Sequence, residues 1–469
     1  MGHCPSMTRT IRRALFTGQA GFAFYNTKVV VKTNTKVVEM WNKERSEQRA
    51  GGRDGFRLPK GMPYTIADIH DLDRTDPLAR YRERFSLPAG VIYLDGNSLG
   101  ALPGAVKARM DEVIATQWGE GLIRSWNTHD WIDLPGRVGD RIGRLIGAAP
   151  GTVTVADSTS VNLFKALGAA LRLRPGRRVI LTEKGDFPTD GYVATGLAEL
   201  MGQGHEVRFV PADELAFALS PEVSVLLATE VNYRTGARLD MAALTAAAHA
   251  VGALTIWDLC HSAGAFPVDL GAADADFAVG CGYKYLNGGP GAPGFVYAAV
   301  RHHADLRQPL TGWLGHAAPF SFAEDYRPAE GIARMRVGTP PILSMQALDA
   351  ALDAFEGVDL REVKTKADRL FSIFTAAVAD LGLGLATPVD PERRGTQVSL
   401  RHPEAYAVMQ ALIARGVIGD FREPDIMRFG LTPLYLRYED VWAAAGILRD
   451  TITSAAWDRP EFRRRAKVV

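Results

Sequence analysis

Apolar and polar positions alternate in blocks along the middle of the chain. Six short runs rich in β-branched and other apolar residues predict buried strands: Val153–Val155, Val179–Thr182, Val223–Ala228, Leu254–Trp257, Phe277–Val279 and Gly294–Ala298. Stretches near 160–172, 190–202 and 240–251 carry helical spacing and separate them. Such alternation predicts a mostly parallel sheet with helices on both faces, an α/β fold. Upstream, Val91–Leu94 predicts a short strand, Asp95-Gly96-Asn97-Ser98-Leu99-Gly100 a turn, and 103–118 a helix that Pro103 opens.

Downstream, 343–382 reads as long helices. Then come a strand at Thr396–Leu400, a helix near 404–415, strands at Val417–Asp420 and Met427–Gly430, and a last helix near 439–455. This predicts a large domain over 62–342, with 62–90 as its N-terminal segment, and a small α+β domain over 343–469 with its linking helices. Residues 1–61 show weak periodicity and read as a poorly ordered extension, apart from a strand-like run at Lys28-Val29-Val30-Val31-Lys32. Met62 has the look of a natural start.

Composition narrows the class. The 469 residues are 47% hydrophobic and 23% charged, which suits a globular chain with a large core. The net charge of +1 gives no reason to expect nucleic acid or an anionic membrane as partner. Residues 1–60 hold 12 Lys/Arg against 4 Asp/Glu and the remainder 42 against 49, so a basic leader precedes a mildly acidic body. Three cysteines, Cys4, Cys260 and Cys281, form no CxxC pair, which predicts a reducing, cytoplasmic setting. No apolar run reaches membrane-spanning length. The pair His302-His303 reads as a surface loop and not a metal site, because no carboxylate or cysteine stands at ligand spacing.

Two strand ends carry the chemistry. Lys284 follows an apolar strand and lies among tyrosines and glycines in Cys281-Gly282-Tyr283-Lys284-Tyr285-Leu286-Asn287-Gly288-Gly289-Pro290-Gly291. A lone lysine is more often a solvated surface residue, but this one leaves a buried strand where open α/β sheets bind ligands. Asp258 ends another buried strand, in Asp258-Leu259-Cys260-His261-Ser262-Ala263-Gly264-Ala265. Alone it could merely cap a loop. Together they are the pair that pyridoxal phosphate (PLP) needs: an amine for covalent attachment and a carboxylate that keeps the ring nitrogen protonated. Asp157-Ser158-Thr159-Ser160-Val161-Asn162 joins a strand to a helix, which suits either a phosphate site or plain capping. In Phe187-Pro188-Thr189-Asp190, Phe187 can stack on a ring, or simply fill core, and Asp190 can accept a hydrogen bond.

These motifs, with LDGNSLG (94–100), GWLGH (312–316), GTPPI (338–342) and RFGLTPLY (428–435), resemble the kynureninase family, fold-type I PLP enzymes related to class V aminotransferases. The resemblance runs from about residue 65 to 455. It implies that Lys284 carries the cofactor, Asp258 pairs with its ring nitrogen and His261 lies close to the ring. It also implies that Thr159 and Ser160 bind cofactor, that Phe187 stacks within a lining that includes Pro188, Thr189 and Asp190, and that Thr229 lies near. Tyr283, Trp313 and Thr339 would reach the phosphate, the last two from a neighbouring subunit, so an obligate homodimer with shared sites is implied. Thr339 stands where many relatives carry Asn. Arg428 would hold the substrate carboxylate, and Tyr283 would take part in acid–base chemistry. The segment Ser125-Trp126-Asn127-Thr128-His129, with Trp126 as the candidate, would face the aryl ketone.

The implied activity is hydrolysis of L-kynurenine or its 3-hydroxy derivative to anthranilate or 3-hydroxyanthranilate and L-alanine, in tryptophan catabolism. Lys284 and Asp258 would equally serve a class V aminotransferase. A cysteine desulfurase would need a nucleophilic cysteine later in the chain, and none follows Cys281. An inactive PLP-fold binding protein would not need the lysine, aspartate and arginine together.

Overall fold

The computed structural model describes residues 62–467, so the basic leader and its strand-like run lie outside the described residues. A seven-stranded sheet forms the core. Its strands are β1 (Val153–Val155), β2 (Val179–Glu183), β3 (Glu206–Val210), β4 (Val223–Thr229), β5 (Leu254–Asp258), β6 (Phe277–Cys281) and β7 (Gly294–Ala298). Their spatial order is β1-β7-β6-β5-β4-β2-β3. Only β7 runs against its neighbours, and the pairings from β6 to β3 are parallel. The sheet is thus mostly parallel, as the strand–helix alternation predicts. Six of these strands are buried along their whole length, which is why they appear in the sequence as unbroken apolar runs.

Edge strand β3 has no such run. Its sequence Glu206-Val207-Arg208-Phe209-Val210 is half polar, and Arg208 pairs with Glu206 at 3.0 Å. Charge on an edge strand discourages pairing with other chains. Helices α1 (Thr159–Leu173), α2 (Pro188–Met201) and α3 (Met241–Ala250) connect the strands. The helix expected over 103–118 holds α geometry only over Gly104–Glu112 and widens over Val113–Glu120, where the Gly121 amide bonds to the Thr116 carbonyl five residues back.

A second, four-stranded sheet comprises β8 (Gly384–Leu385), β9 (Gln397–Arg401), β10 (Asp420–Arg422) and β11 (Ile426–Gly430), in the order β8-β9-β11-β10. Helices α4 (Leu360–Ala377), α5 (Ala405–Ala414) and α6 (Tyr438–Thr453) accompany it. The single strand expected at Val417–Asp420 is split in two. Val417–Ile418 pairs in parallel with Ile92–Tyr93, and Asp420–Arg422 joins the four-stranded sheet. Gly419 is the break: a Cβ there would lie 2.6 Å from the Arg428 carbonyl oxygen. The segment after Ile92–Tyr93 continues into the Asp95–Gly100 turn. It bonds to Gly430 through the Leu94 carbonyl and, through the Gly100 amide, to the Tyr283 carbonyl at 2.8 Å.

The histidine pair at 302–303 is not a solvated loop. His302 stacks on Phe277 with ring centroids 5.3 Å apart and places Nε2 2.7 Å from Asp276 Oδ1. His249 Nε2 lies 2.8 Å from Asp276 Oδ2, which also accepts from the Thr255 amide, and Arg301 Nη2 donates to Oδ1 at 2.7 Å. Burial alone would push the Asp276 carboxyl up, but bonds from His302 and His249, the Thr255 amide and Arg301 hold it well below the usual carboxylate range. Asp276→Ala strands these donors, so it is expected to lower the unfolding free energy by about 3 kcal/mol. Urea titration checks this, and a loss under about 1 kcal/mol would mean that the cluster is solvated.

Candidate active site

The C-terminal ends of adjacent parallel strands place the chemistry. Asp258 ends β5, in register with Thr229 at the end of β4, and β6 runs on through Tyr283 to Lys284. Lys284 Nζ lies 3.0 Å from His261 Nε2 and 5.9 Å from the Tyr283 ring centroid. Gly100 packs beneath this point: a Cβ on it would sit 2.3 Å from the Lys284 carbonyl oxygen, so only glycine fits there.

Four carboxylates form a chain of neighbours, of which Asp258 and Asp190 feel the charge of Lys284. Burial pushes the Asp258 carboxyl up, opposed by the Cys260 amide, which donates to its Oδ1 at 2.6 Å, and by Lys284. Burial, then Asp258 and Asp186, raise Asp190 well above its ordinary value. Asp186 is pushed up to about 6 and Glu183 to about 7, each chiefly by burial. Burial, reinforced by the positive charges of Lys284, Arg428 and Arg422, holds His261 well below its ordinary value, so its imidazole is neutral at pH 7. Tyr283 is raised by burial and by nearby Cys281, Cys260 and Asp258, so its hydroxyl keeps its proton.

This donor set fits a protonated pyridine ring. Asp190 Oδ2 and His261 Nδ1 are buried without a hydrogen-bond partner. A cationic ring nitrogen would offset the burial of the Asp258 carboxylate, and the orphaned atoms are available to ring substituents. Phe187 is 48% exposed and meets Tyr233 edge-on at 5.2 Å, so it is not core. Pro188 is the first residue of α2, where its missing N–H costs nothing; Thr189 and buried Asp190 complete that turn.

At the other end, Ser158 caps α1 by accepting from the Val161 amide, which leaves Thr159 and Ser160 in the first turn, suited to an anion. Thr159 Oγ1 lies 3.6 Å from Cys260 Sγ, joining this turn to the Asp258–His261 loop. Thr339 lines a crevice with Asp157 of the same connection. Trp313 is not brought to Lys284. It is partly exposed and packs on Phe320 and Phe322, with centroids 5.7 and 6.3 Å away. Trp126 sits on a short helix, Ser125–Thr128, against Trp131.

Arg428, expected from sequence, is buried on β11. Its Nε donates to Asp420 Oδ1 at 2.7 Å, and its Nη1 to the Tyr233 carbonyl at 2.5 Å. The sequence reading missed Asp420, Arg422, Asp186 and Glu183. Asp186 follows a buried strand end, the same signal that picks out Asp258.

Comparison with known proteins points to one family. A family model described as the kynureninase C-terminal domain matches residues 363–448. A kynureninase of Burkholderia pseudomallei (strain 1106a) is 54% identical over 408 residues, 85% of this chain and 98% of the relative. One of Deinococcus radiodurans is 55% identical over 392 residues, 81% of this chain and 95% of the relative. Among solved structures, a mutant of the cystine C–S lyase C-DES with glycine covalently linked to its PLP cofactor superposes with TM-score 0.68 at 18% identity, over 79% of this chain and 99% of that one. The Escherichia coli cysteine desulfurase CsdA gives TM-score 0.65 at 19% identity, over 81% and 98%. At such identity these structures speak for the fold alone.

Proposed function

Because the chain belongs to the kynureninase family, we propose that it hydrolyses the bond between Cβ and Cγ of L-kynurenine, or of its 3-hydroxy derivative, releasing anthranilate or 3-hydroxyanthranilate and L-alanine. It is a PLP-dependent hydrolase of a carbon–carbon bond. The observation that carries the reading is the convergence of Lys284, neutral His261 and buried Asp258 at neighbouring strand ends.

Bound PLP supplies a protonated ring that accepts the electron pair released when bonds at the substrate's α-carbon break. Lys284 anchors it, and its Nζ carries the substrate's α-proton. Asp258 keeps the proton on the ring nitrogen. His261, being neutral, offers Nε2 to Lys284 as an acceptor and does not compete for charge. Phe187 stacks on the ring's face, with Pro188, Thr189, Asp190 and Thr229 around it. Thr159 and Ser160 bind the phosphate at the start of α1. Tyr283, still protonated, can deliver its proton to Cβ of the fragment that becomes L-alanine, while the oxygen of water joins Cγ and the aryl fragment leaves as anthranilate. Arg428 binds the α-carboxylate, and Trp126 lies against the aryl end.

Trp313 and Thr339 complete the phosphate site of a second subunit in a homodimer. The exposure of Trp313, away from Lys284, supports this part. The enzyme works in the cytoplasm, and among the described residues no helix is long and apolar enough to cross a membrane. The division into a cofactor-binding domain through 342 and a smaller one after it is supported by the two separate sheets.

Purified protein with PLP and L-kynurenine is expected to release fluorescent anthranilate without any 2-oxo acid, with 3-hydroxykynurenine run in parallel to set the preference. A strict requirement for a 2-oxo acid would replace this reading with the aminotransferase one.

A further inference from the structure

Strands β10 and β11 run antiparallel with Asp420 directly opposite Arg428. The pair is buried, each side chain 1% exposed. An arginine offers five N–H groups. In Arg428 four are committed: Nε to Asp420 Oδ1, Nη2 to Asp420 Oδ2 and to Ser98 Oγ at 2.9 Å, and Nη1 to the Tyr233 carbonyl. The Nε/Nη2 edge, the usual grip on a carboxylate, is therefore closed by Asp420. One N–H on Nη1 is left for a ligand.

Two residues along β10 stands Arg422. Its Nη2 lies 2.8 Å from Asp420 Oδ2 and 3.3 Å from Ser98 Oγ, and its Nη1 donates to the Phe421 carbonyl at 2.7 Å. Among the described residues its Nε–H and second Nη1–H have no partner. Its side chain is 30% exposed, so a ligand can reach it, and its charge is felt at His261 together with that of Arg428. Both guanidinium groups thus hang on one carboxylate, Asp420, at the edge of the Lys284 site.

The charge balance is also open. Asp95, the other acid nearby, is pushed up to about 8 by burial and by Asp420, against the pull of Arg428, and is neutral at pH 7. Two cations then face one anion.

We propose that the substrate's α-carboxylate is received by two arginines, Arg422 and Arg428, and not by Arg428 alone. Arg422 is the residue that makes the grip two-pronged, and Asp420 is the shared anchor that fixes the spacing of the prongs. This rests on the reading of Arg428 as a carboxylate ligand.

The test uses holoenzyme and two unreactive desamino ligands, 4-(2-aminophenyl)-4-oxobutanoate and its primary amide. Arg422→Gln is expected to raise KM for kynurenine roughly 10-fold and to weaken the carboxylate inhibitor by a similar factor, with the amide shifted by less than about 2-fold. Arg422→Lys, which keeps the charge but loses the planar fork, should fall between and serves if the glutamine variant does not fold. Equal weakening of both inhibitors, or of neither, in the Arg422 variants overturns the two-arginine receptor. Arg428→Gln is the control. If it discriminates the inhibitors and the Arg422 variants do not, only the present proposal falls; if it too fails to discriminate, the assignment of Arg428 falls with it.

Discussion

Lys284→Ala is expected to abolish both turnover and the visible absorbance of covalently bound cofactor. On the proposed reading the side chain has two duties, anchoring the cofactor and carrying a proton at Nζ, and alanine performs neither. Loss of proton transfer alone costs roughly 10²–10⁴-fold, and loss of the anchor adds to it, so activity should fall by at least about 10³-fold. The fold should persist. Among the described residues Lys284 makes one side-chain hydrogen bond, to His261, and Gly100 packs on its main-chain carbonyl, which the substitution leaves in place. Absorbance spectra and single-turnover assays check the prediction together. A variant that keeps more than about a tenth of wild-type activity would remove Lys284 from the chemistry altogether.

The second large effect is expected at Asp258. Asp258→Asn preserves the shape and can still accept the Cys260 amide, now 2.6 Å from Oδ1, but it removes the charge that on the proposed reading faces a protonated ring nitrogen. In a site this buried the lost charge is poorly replaced by water, so kcat should fall about 10²–10³-fold with PLP still bound. Asp190 is a poor stand-in, because burial and its carboxylate neighbours raise it well above its ordinary value and favour its neutral form. Titration of cofactor binding beside kcat separates the outcomes. A fall in PLP affinity with unchanged kcat at saturation would make Asp258 a cofactor-binding residue without a part in the chemistry.

Legibility from the sequence followed burial. Strands buried on both faces, such as Val223–Thr229 and Phe277–Cys281, stand out as apolar runs and were read to within a residue or two. The polar edge strand Glu206–Val210 carries no such signal and was missed. Lys284 and Asp258 were visible because each ends a buried strand. Asp420 and Arg422 were not, since their meaning lies in a cross-strand register set by Gly419 and a β-hairpin, which no local pattern reports. His302 was misread for a related reason: Asp276, its partner, lies 26 residues away in the sequence. Trp313 and Trp126 were located by resemblance, and among the described residues no hydrogen bond or ring contact joins either to Lys284.

The segment from Ile92 to Gly100 has a mechanical consequence. One end is a strand partner of Val417–Ile418, its middle bonds to Gly430 two residues beyond Arg428, and its far end bonds to the main chain beside Lys284. It is a short tether between the place where a substrate's acid group would land and the place where its amine would react. With a glycine seated against the lysine's own carbonyl, the tether has no slack. Any displacement of β11 would therefore reach the lysine's backbone through this segment as a pull.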